Sequence, residues 1–292
     1  MNRSPSRLLF PVAGKPIKIT HSAMASPPDT PAIFAEWVAA LEARHLADLR
    51  VQEVTRALRA LSSAYVERRR ETVHRTLDSA GKRAAFALFY APLHFLATDF
   101  VVRALGGDTP PPRAILDVGC GTGAAGAAWA AAAGGTPSVT GIDRHQWAVD
   151  EARWNYRELG LKGRARQGDA ARLPPLPPGT AVVAAYVLNE LSAAVRESLE
   201  DRLIDAASRG VRVLVIEPIS RSVSPWWDAT ASRITAAGGR ADEWRFPVDL
   251  PASLRLLDKA AGLDHHELTA RSLYCSGLSG QDARPPASHS VC

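Results

Sequence analysis

Three aspartates recur at equal intervals through the middle of this 292-residue chain: Asp117, Asp143 and Asp169, each 26 positions after the last. Each closes an apolar run: Ile115-Leu116-Asp117-Val118, Gly141-Ile142-Asp143, and Gln167-Gly168-Asp169-Ala170. The first run passes directly into Gly119-Cys120-Gly121-Thr122-Gly123. Three glycines in five positions permit left-handed backbone and remove Cβ atoms, so a ligand can lie against bare main chain. If the apolar runs are successive parallel strands, their carboxyl ends line one crevice and the three acids meet around one ligand.

Two ligand classes fit a glycine loop of this kind. Gly121-x-Gly123-x-x-Gly126 satisfies the dinucleotide fingerprint, and Asp143 stands near the distance expected of a ribose-binding acid, which points to an NAD-dependent oxidoreductase. Charge separates this reading from the other. A pyrophosphate wants helix-terminal amides and no carboxylate, whereas Asp117 at the mouth of the loop repels phosphate and suits a cationic amino acid group. S-adenosylmethionine carries no phosphate and bears an ammonium and a sulfonium, and Asp169 offers an acceptor for an adenine amino group.

Periodicity supplies the elements that must hold these residues. After Gly106, Gly107 and Pro110 to Pro112, short apolar runs alternate with helical ones. Strands are predicted at 114–118, 138–142, 164–167, 181–187 and 211–216, with helices at 124–133, 146–159 and 193–209. A helix at 225–237, a strand at 244–248, a helix at 251–261 and a strand at 268–274 follow. The unbroken runs Val182-Val183-Ala184-Ala185 and Val211 to Ile216 imply strands covered on both faces, as in a parallel sheet. Ahead of the sheet the pattern is helical. Pro31 opens a helix capped by Asp29 or Thr30, with Ile33, Phe34, Trp37, Val38 and Leu41 on one face. A second carries Val51, Val54, Leu58, Leu61 and Tyr65, and a third covers 82–105 with a kink near Pro92. The expected organisation is a basic tail (1–28), a helical module (29–110), a ligand-binding α/β domain (111–276) and a C-terminal tail (277–292).

Composition narrows the classes. Hydrophobic residues are 46 % and charged residues 22 %, an ordinary globular balance. Net charge is +5, but residues 1–28 hold four basic residues and no acid, so the folded body is close to neutral. That weighs against a broad phosphate-binding face. Arg68, Arg69, Arg70, Arg75, Lys82 and Arg83 form a local basic run, read as a solvated helix face or an RNA contact. Cys120, Cys275 and Cys292 lack paired spacing, which predicts no disulfide framework and no metal site and suits a reducing cytoplasm. No apolar run of membrane-spanning length is expected, since Pro92, His94, Asp99 and Arg103 break 86–105.

The ordered motifs resemble the class I S-adenosylmethionine-dependent methyltransferases. The resemblance implies a Rossmann-like, seven-stranded α/β sheet, mostly parallel with an antiparallel last strand. It implies that Asp117 faces the cofactor ammonium, that Gly119, Cys120, Gly121, Thr122 and Gly123 lie beneath the cofactor, that Asp143 holds the ribose and that Asp169-Ala170 hold the adenine. Acceptors approach the fourth strand end in that fold, which nominates Asn189 as an orienting amide and Glu190 as a base. Glu217 closes the same rim or caps the next turn. Trp226 with Trp227, and Tyr90 with His94, are further candidates for the cleft, or else core residues. The stretches Ala60 to Arg69, Tyr186-Val187-Leu188-Asn189-Glu190-Leu191 and Val213 to Pro218 are similar to the methyltransferase-like family associated with the mitochondrial small ribosomal subunit and its bacterial relatives. That implies a ribosomal RNA acceptor or a role in small-subunit assembly. Ile219-Ser220-Arg221 replaces the Gly-Thr-Pro of that family, and the cysteine cluster of its larger members is missing. The charge argument predicts that S-adenosylmethionine, and not NAD, raises the melting temperature of the purified protein in a thermal shift assay.

Overall fold

The computed structural model describes residues 30–67, 77–221 and 224–277. The expected N-terminal tail, the Asp29 cap, Arg68 to Arg70 with Arg75, Cys292 and nearly all of the C-terminal tail lie outside the described residues. The chain opens with helices α1 (Thr30–His45), α2 (Val51–Glu67) and α3 (Ala80–Ala85), a π-helical turn (Phe86–Tyr90) and α4 (Ala91–Ala104). Alternating units then follow: β1 (Ala114–Val118), α5 (Ala124–Ala132), β2 (Ser138–Asp143), α6 (Gln146–Glu158), β3 (Gly163–Gln167) and β4 (Ala181–Ala185). The rest is α7 (Ala193–Ser208), β5 (Arg212–Glu217), α8 (Trp227–Ala236), β6 (Arg240–Pro247), α9 (Ala252–Ala260) and β7 (Glu267–Cys275).

The seven strands form one sheet in the order β3-β2-β1-β4-β5-β7-β6. The first five pair in parallel, and β7 runs antiparallel to both β5 and β6. The order reverses beside β1, so the carboxyl ends of β1 and β4 open the crevice that the sequence predicted. Helices α4, α5 and α6 cover one face, with Phe34, Trp37, Leu58, Phe95 and Trp129 in the same core as Ile115, Val183 and Trp244. On the other face Leu199, Leu203, Trp227 and Ile234 from α7 and α8 meet Val182, Ala184 and Val213. The helices ahead of the sheet therefore share the sheet's own core, and Phe100 of α4 stacks on Phe246 of β6 at 3.9 Å.

Three boundaries differ from expectation, each for a local reason. The helix expected to kink at Pro92 instead widens into a π-turn just before it, where the Ala91 amide reaches the Phe86 carbonyl. A proline ring crowds the carbonyl four residues earlier, and a wider turn relieves that clash. The fourth strand stops at Ala185, not Val187, because Tyr186 takes φ 59° and turns the chain out of the sheet. Strand β6 starts at Arg240, since its antiparallel register with β7 extends back to Tyr274. Among the described residues, the continuous helix Ala80–Ala104 is long and apolar enough to cross a bilayer, but most of it is buried against the sheet domain.

Helix α1 is bound to α6 through a buried charge. Glu151, 1 % exposed, accepts from Arg44 at 3.3 Å and faces His45 Nε2 at 2.7 Å. Burial alone raises its carboxyl, but the His45 hydrogen bond and charge, followed by those of Arg44, outweigh this and hold it below the usual range. The stability this provides is present above the ordinary carboxylate pKa and lost as pH falls through the depressed value. Glu151→Gln is expected to cost roughly 3 kcal/mol at neutral pH, with the gap to wild type narrowing below pH 4.5; thermal unfolding across pH checks both.

Candidate functional site

The glycine loop has its shape because side chains occupy the space where Cβ atoms would sit. Gly119 has φ 63°, and a Cβ there would lie 2.2 Å from Val187 Cγ2. Gly123, the left-handed residue that opens α5, has φ 82°, and its Cβ would lie 2.8 Å from the Tyr156 ring. Behind the loop, Cys120 Sγ and the Tyr156 hydroxyl fill the space beside Gly141 of β2. The loop thus lies flat between β1 and α6 and bounds a cleft of about 500 Å³.

The first acid is deeply placed. Asp117 is 1 % exposed, lines the cleft, and accepts from the Gly126 amide at 2.8 Å. Among the described residues no cationic side chain pairs with it, and burial, with a smaller push from Asp143, raises its carboxyl to about 7. Asp143 ends β2 half-buried, with Oδ2 accepting from the Gly121 amide at 2.9 Å and Oδ1 from the His145 amide at 2.8 Å. Each oxygen keeps a lone pair for a hydroxyl. Asp169 stands apart. Its carboxylate accepts from the Ala171 amide and pairs with Arg144 at 2.7 Å, and the cleft is lined there by Gly168, Ala170 and Arg144 instead. The structure thus brings Asp117, Asp143, Gly119, Cys120, Gly121, Thr122 and Ala170 to one cleft, whose lining includes neither Gly123 nor Asp169.

The opposite wall comes from the leading helices and the end of β4. Phe86, Tyr90 and His94 recur at four-residue steps across the π-turn into α4, and all three line the cleft with Leu77. The His94 ring stacks on Tyr186 at 4.0 Å and 16°. Burial lowers His94 to about 3 and raises Tyr186 beyond the ordinary phenol range, so both rings are neutral. Glu190, on the short helical turn Leu188–Glu190, is exposed at the open cleft, and desolvation by the cleft walls and then Asp143 raise its carboxyl to about 8, an effect that its contact with water weakens.

Asn189 does not face the acceptor side, contrary to expectation. Its Nδ2 donates to Glu217, and its Oδ1 accepts from Ser224 Oγ at 2.8 Å and from Trp226 Nε1 at 3.2 Å. The amide is engaged on both its nitrogen and its oxygen, because Glu217, fully buried at the end of β5, needs donors and also takes the Leu188 amide at 2.9 Å. Trp227 is core, and Trp226 is half-buried beneath Arg196. Burial pushes the Cys120 thiol up, assisted by Asp117 and Asp143, so it packs and does not react. Sequence reasoning passed over Phe86 and Tyr186. The four-residue spacing to Tyr90 and His94 marks Phe86, while nothing in the sequence signals the backbone reversal at Tyr186.

A family described as a methyltransferase domain matches residues 115–210. No curated protein matches the sequence. Among solved structures, the magnesium protoporphyrin IX methyltransferase of Synechocystis PCC 6803 with bound SAM is 15 % identical, with 87 % of this chain and 100 % of that one covered and a TM-score of 0.43. A TehB-like SAM-dependent methyltransferase from Corynebacterium glutamicum is 18 % identical, with 61 % and 86 % covered and a TM-score of 0.39. A SAM-dependent methyltransferase from Aquifex aeolicus is also 18 % identical, with 60 % and 88 % covered and a TM-score of 0.39. At such distances these likenesses carry no information about the acceptor.

Residues 115–210 match a methyltransferase domain, for which S-adenosylmethionine is the expected cofactor. The residues fit it: Asp117 is a buried carboxyl lacking a cation, Asp143 has lone pairs for ribose hydroxyls, and the loop is bare of Cβ atoms. Because the cofactor is cationic, it favours the ionised forms of Asp117 and Glu190, whose carboxyls stand at about 7 and 8. Affinity is expected to tighten from pH 6 to 8, and binding at pH 7 to release protons, seen as buffer-dependent heat in calorimetry. Asp117→Asn should bind at least about tenfold more weakly and release fewer protons.

Proposed function

We propose that the protein methylates a flat, uncharged ring, a base of small-subunit ribosomal RNA. The observation that carries this reading is the neutral aromatic wall of Phe86, Tyr90, His94 and Tyr186, which lines the same cleft as Glu190. Such a wall favours a planar acceptor, since base stacking on aromatic rings contributes about 1–3 kcal/mol. RNA is favoured over a free small molecule by two further features. The sequence holds a basic run, Arg68, Arg69, Arg70 and Arg75, and Tyr186 to Leu191 carries the resemblance to the ribosome-associated family.

When bound, S-adenosylmethionine supplies an electrophilic methyl group and a neutral thioether leaving group. This chain's residues do the rest. Asp117, Asp143, Ala170 and the bare backbone of the loop hold the cofactor. The Tyr186 and His94 rings orient the acceptor and exclude water, so that little more than alignment is asked of the protein. Glu190 takes the proton that the acceptor nitrogen loses as its new bond to carbon forms, a role that needs the carboxylate form.

Incubation with methyl-labelled cofactor and cell fractions is expected to place the label in small-subunit ribosomal RNA. Label confined to small molecules or protein would refute the RNA acceptor, and cofactor binding without transfer would point to an assembly factor. At saturating cofactor, the rate should climb with pH along a limb at or below about 8. Glu190→Gln should remove that limb and slow transfer by about 10²–10⁴ while still binding cofactor.

A further inference from the structure

We infer that α1, far from the cleft in sequence, is a working part of the cofactor site, with Trp37 and Asn155 as positioning residues for the glycine loop. The inference rests on the cleft being the S-adenosylmethionine site. Trp37 Nε1 donates to Asn155 Oδ1 at 2.7 Å, and Asn155 Nδ2 donates to the Thr122 carbonyl at 2.8 Å. Trp37, Asn155 and Thr122 are 1 %, 0 % and 2 % exposed, so water is no substitute partner for any of them. Thr122 itself lines the cleft.

The chain of two bonds acts on one peptide plane. The Thr122 carbonyl is tied to Asn155, and the next amide, Gly123 N–H, is tied to the Cys120 carbonyl at 2.7 Å. With both ends held, the plane cannot rotate, and the loop keeps the form that presents its bare backbone. Asn155 can serve only if its own carbonyl oxygen is satisfied, and in this core that falls to the Trp37 indole. An aromatic core alone would not need that N–H. The Trp37 ring already packs on Phe95 at 5.3 Å, and phenylalanine in its place would pack similarly.

Neighbouring contacts keep the relay in register. One turn earlier on α6, Glu151 binds Arg44 and His45 of α1. One residue later, Tyr156 fills the space beneath Gly123 and Gly141. A single helix face thus receives α1 on one side and seats the loop on the other.

The test uses the full chain with Trp37→Phe, Asn155→Asp and, as a control for general loosening of the helices, Leu58→Ala in the core of α2. Three quantities are read: the S-adenosylmethionine Kd, the Tm, and amide exchange in the peptide spanning 119–126. Trp37→Phe is expected to weaken binding about tenfold and speed loop exchange. Asn155→Asp keeps an acceptor for Trp37 but lacks the donor to Thr122, and should weaken binding further. Leu58→Ala should lower Tm while leaving Kd and loop exchange near wild type. Wild-type Kd and loop exchange in both relay variants, measured well below their Tm, would overturn the inference. If the wild type bound no S-adenosylmethionine, the cofactor assignment would fall, and loop exchange in the ligand-free variants would still decide whether the relay holds the loop.

Discussion

A carboxyl group buried with no cation beside it among the described residues is the constraint around which this site is arranged. Asp117 lies near the end of β1 inside the molecule, its sole donor among the described residues a backbone amide, and burial raises its carboxyl to about 7. Removing a charge from water is costly unless something of opposite sign meets it. The fold leaves that place to a ligand. The glycine loop beside it has lost its side chains to make room, and Asp143 completes an acidic pocket matched to a cationic, hydroxyl-bearing molecule and hostile to a pyrophosphate.

The leading helices complete the cleft. By wrapping onto the sheet's own core, α1 to α4 deliver a neutral aromatic wall opposite the cofactor loop, and the π-turn before Pro92 brings Phe86 and Tyr90 to the same side as His94. Backbone strain contributes from the other direction. A tyrosine at φ 59° is a costly conformation for a side chain with a Cβ, and it persists where Tyr186 leaves β4 and lays its ring on His94. Helix module and sheet therefore act as one binding unit.

Much of this was legible in the residue order. The even spacing of Asp117, Asp143 and Asp169, the glycines after the first of them, and the change from helical to alternating apolar runs disclosed the sheet and most of its strand positions. Asp117 and Asp143 line one cleft because they stand at the carboxyl ends of adjacent parallel strands. Asn189 was misjudged because its neighbour in space, Glu217, is 28 residues away and claims its amide. Asp169 was expected to hold the adenine, but it does not line the cleft and Arg144 engages it. Ion pairs of that kind leave no periodic trace.

What the sequence determined alone was everything governed by local geometry: which runs are strands, where the chain needs glycine, and that acids gather at one sheet edge. Those follow from side-chain alternation and backbone sterics, which act over a few residues. Tertiary structure decided which acids remain uncompensated, which rings face the cleft, and how a tryptophan in the first helix holds a loop 85 positions later. Burial and hydrogen-bond partnership are properties of neighbours in space, and neighbours exist only once the chain has folded.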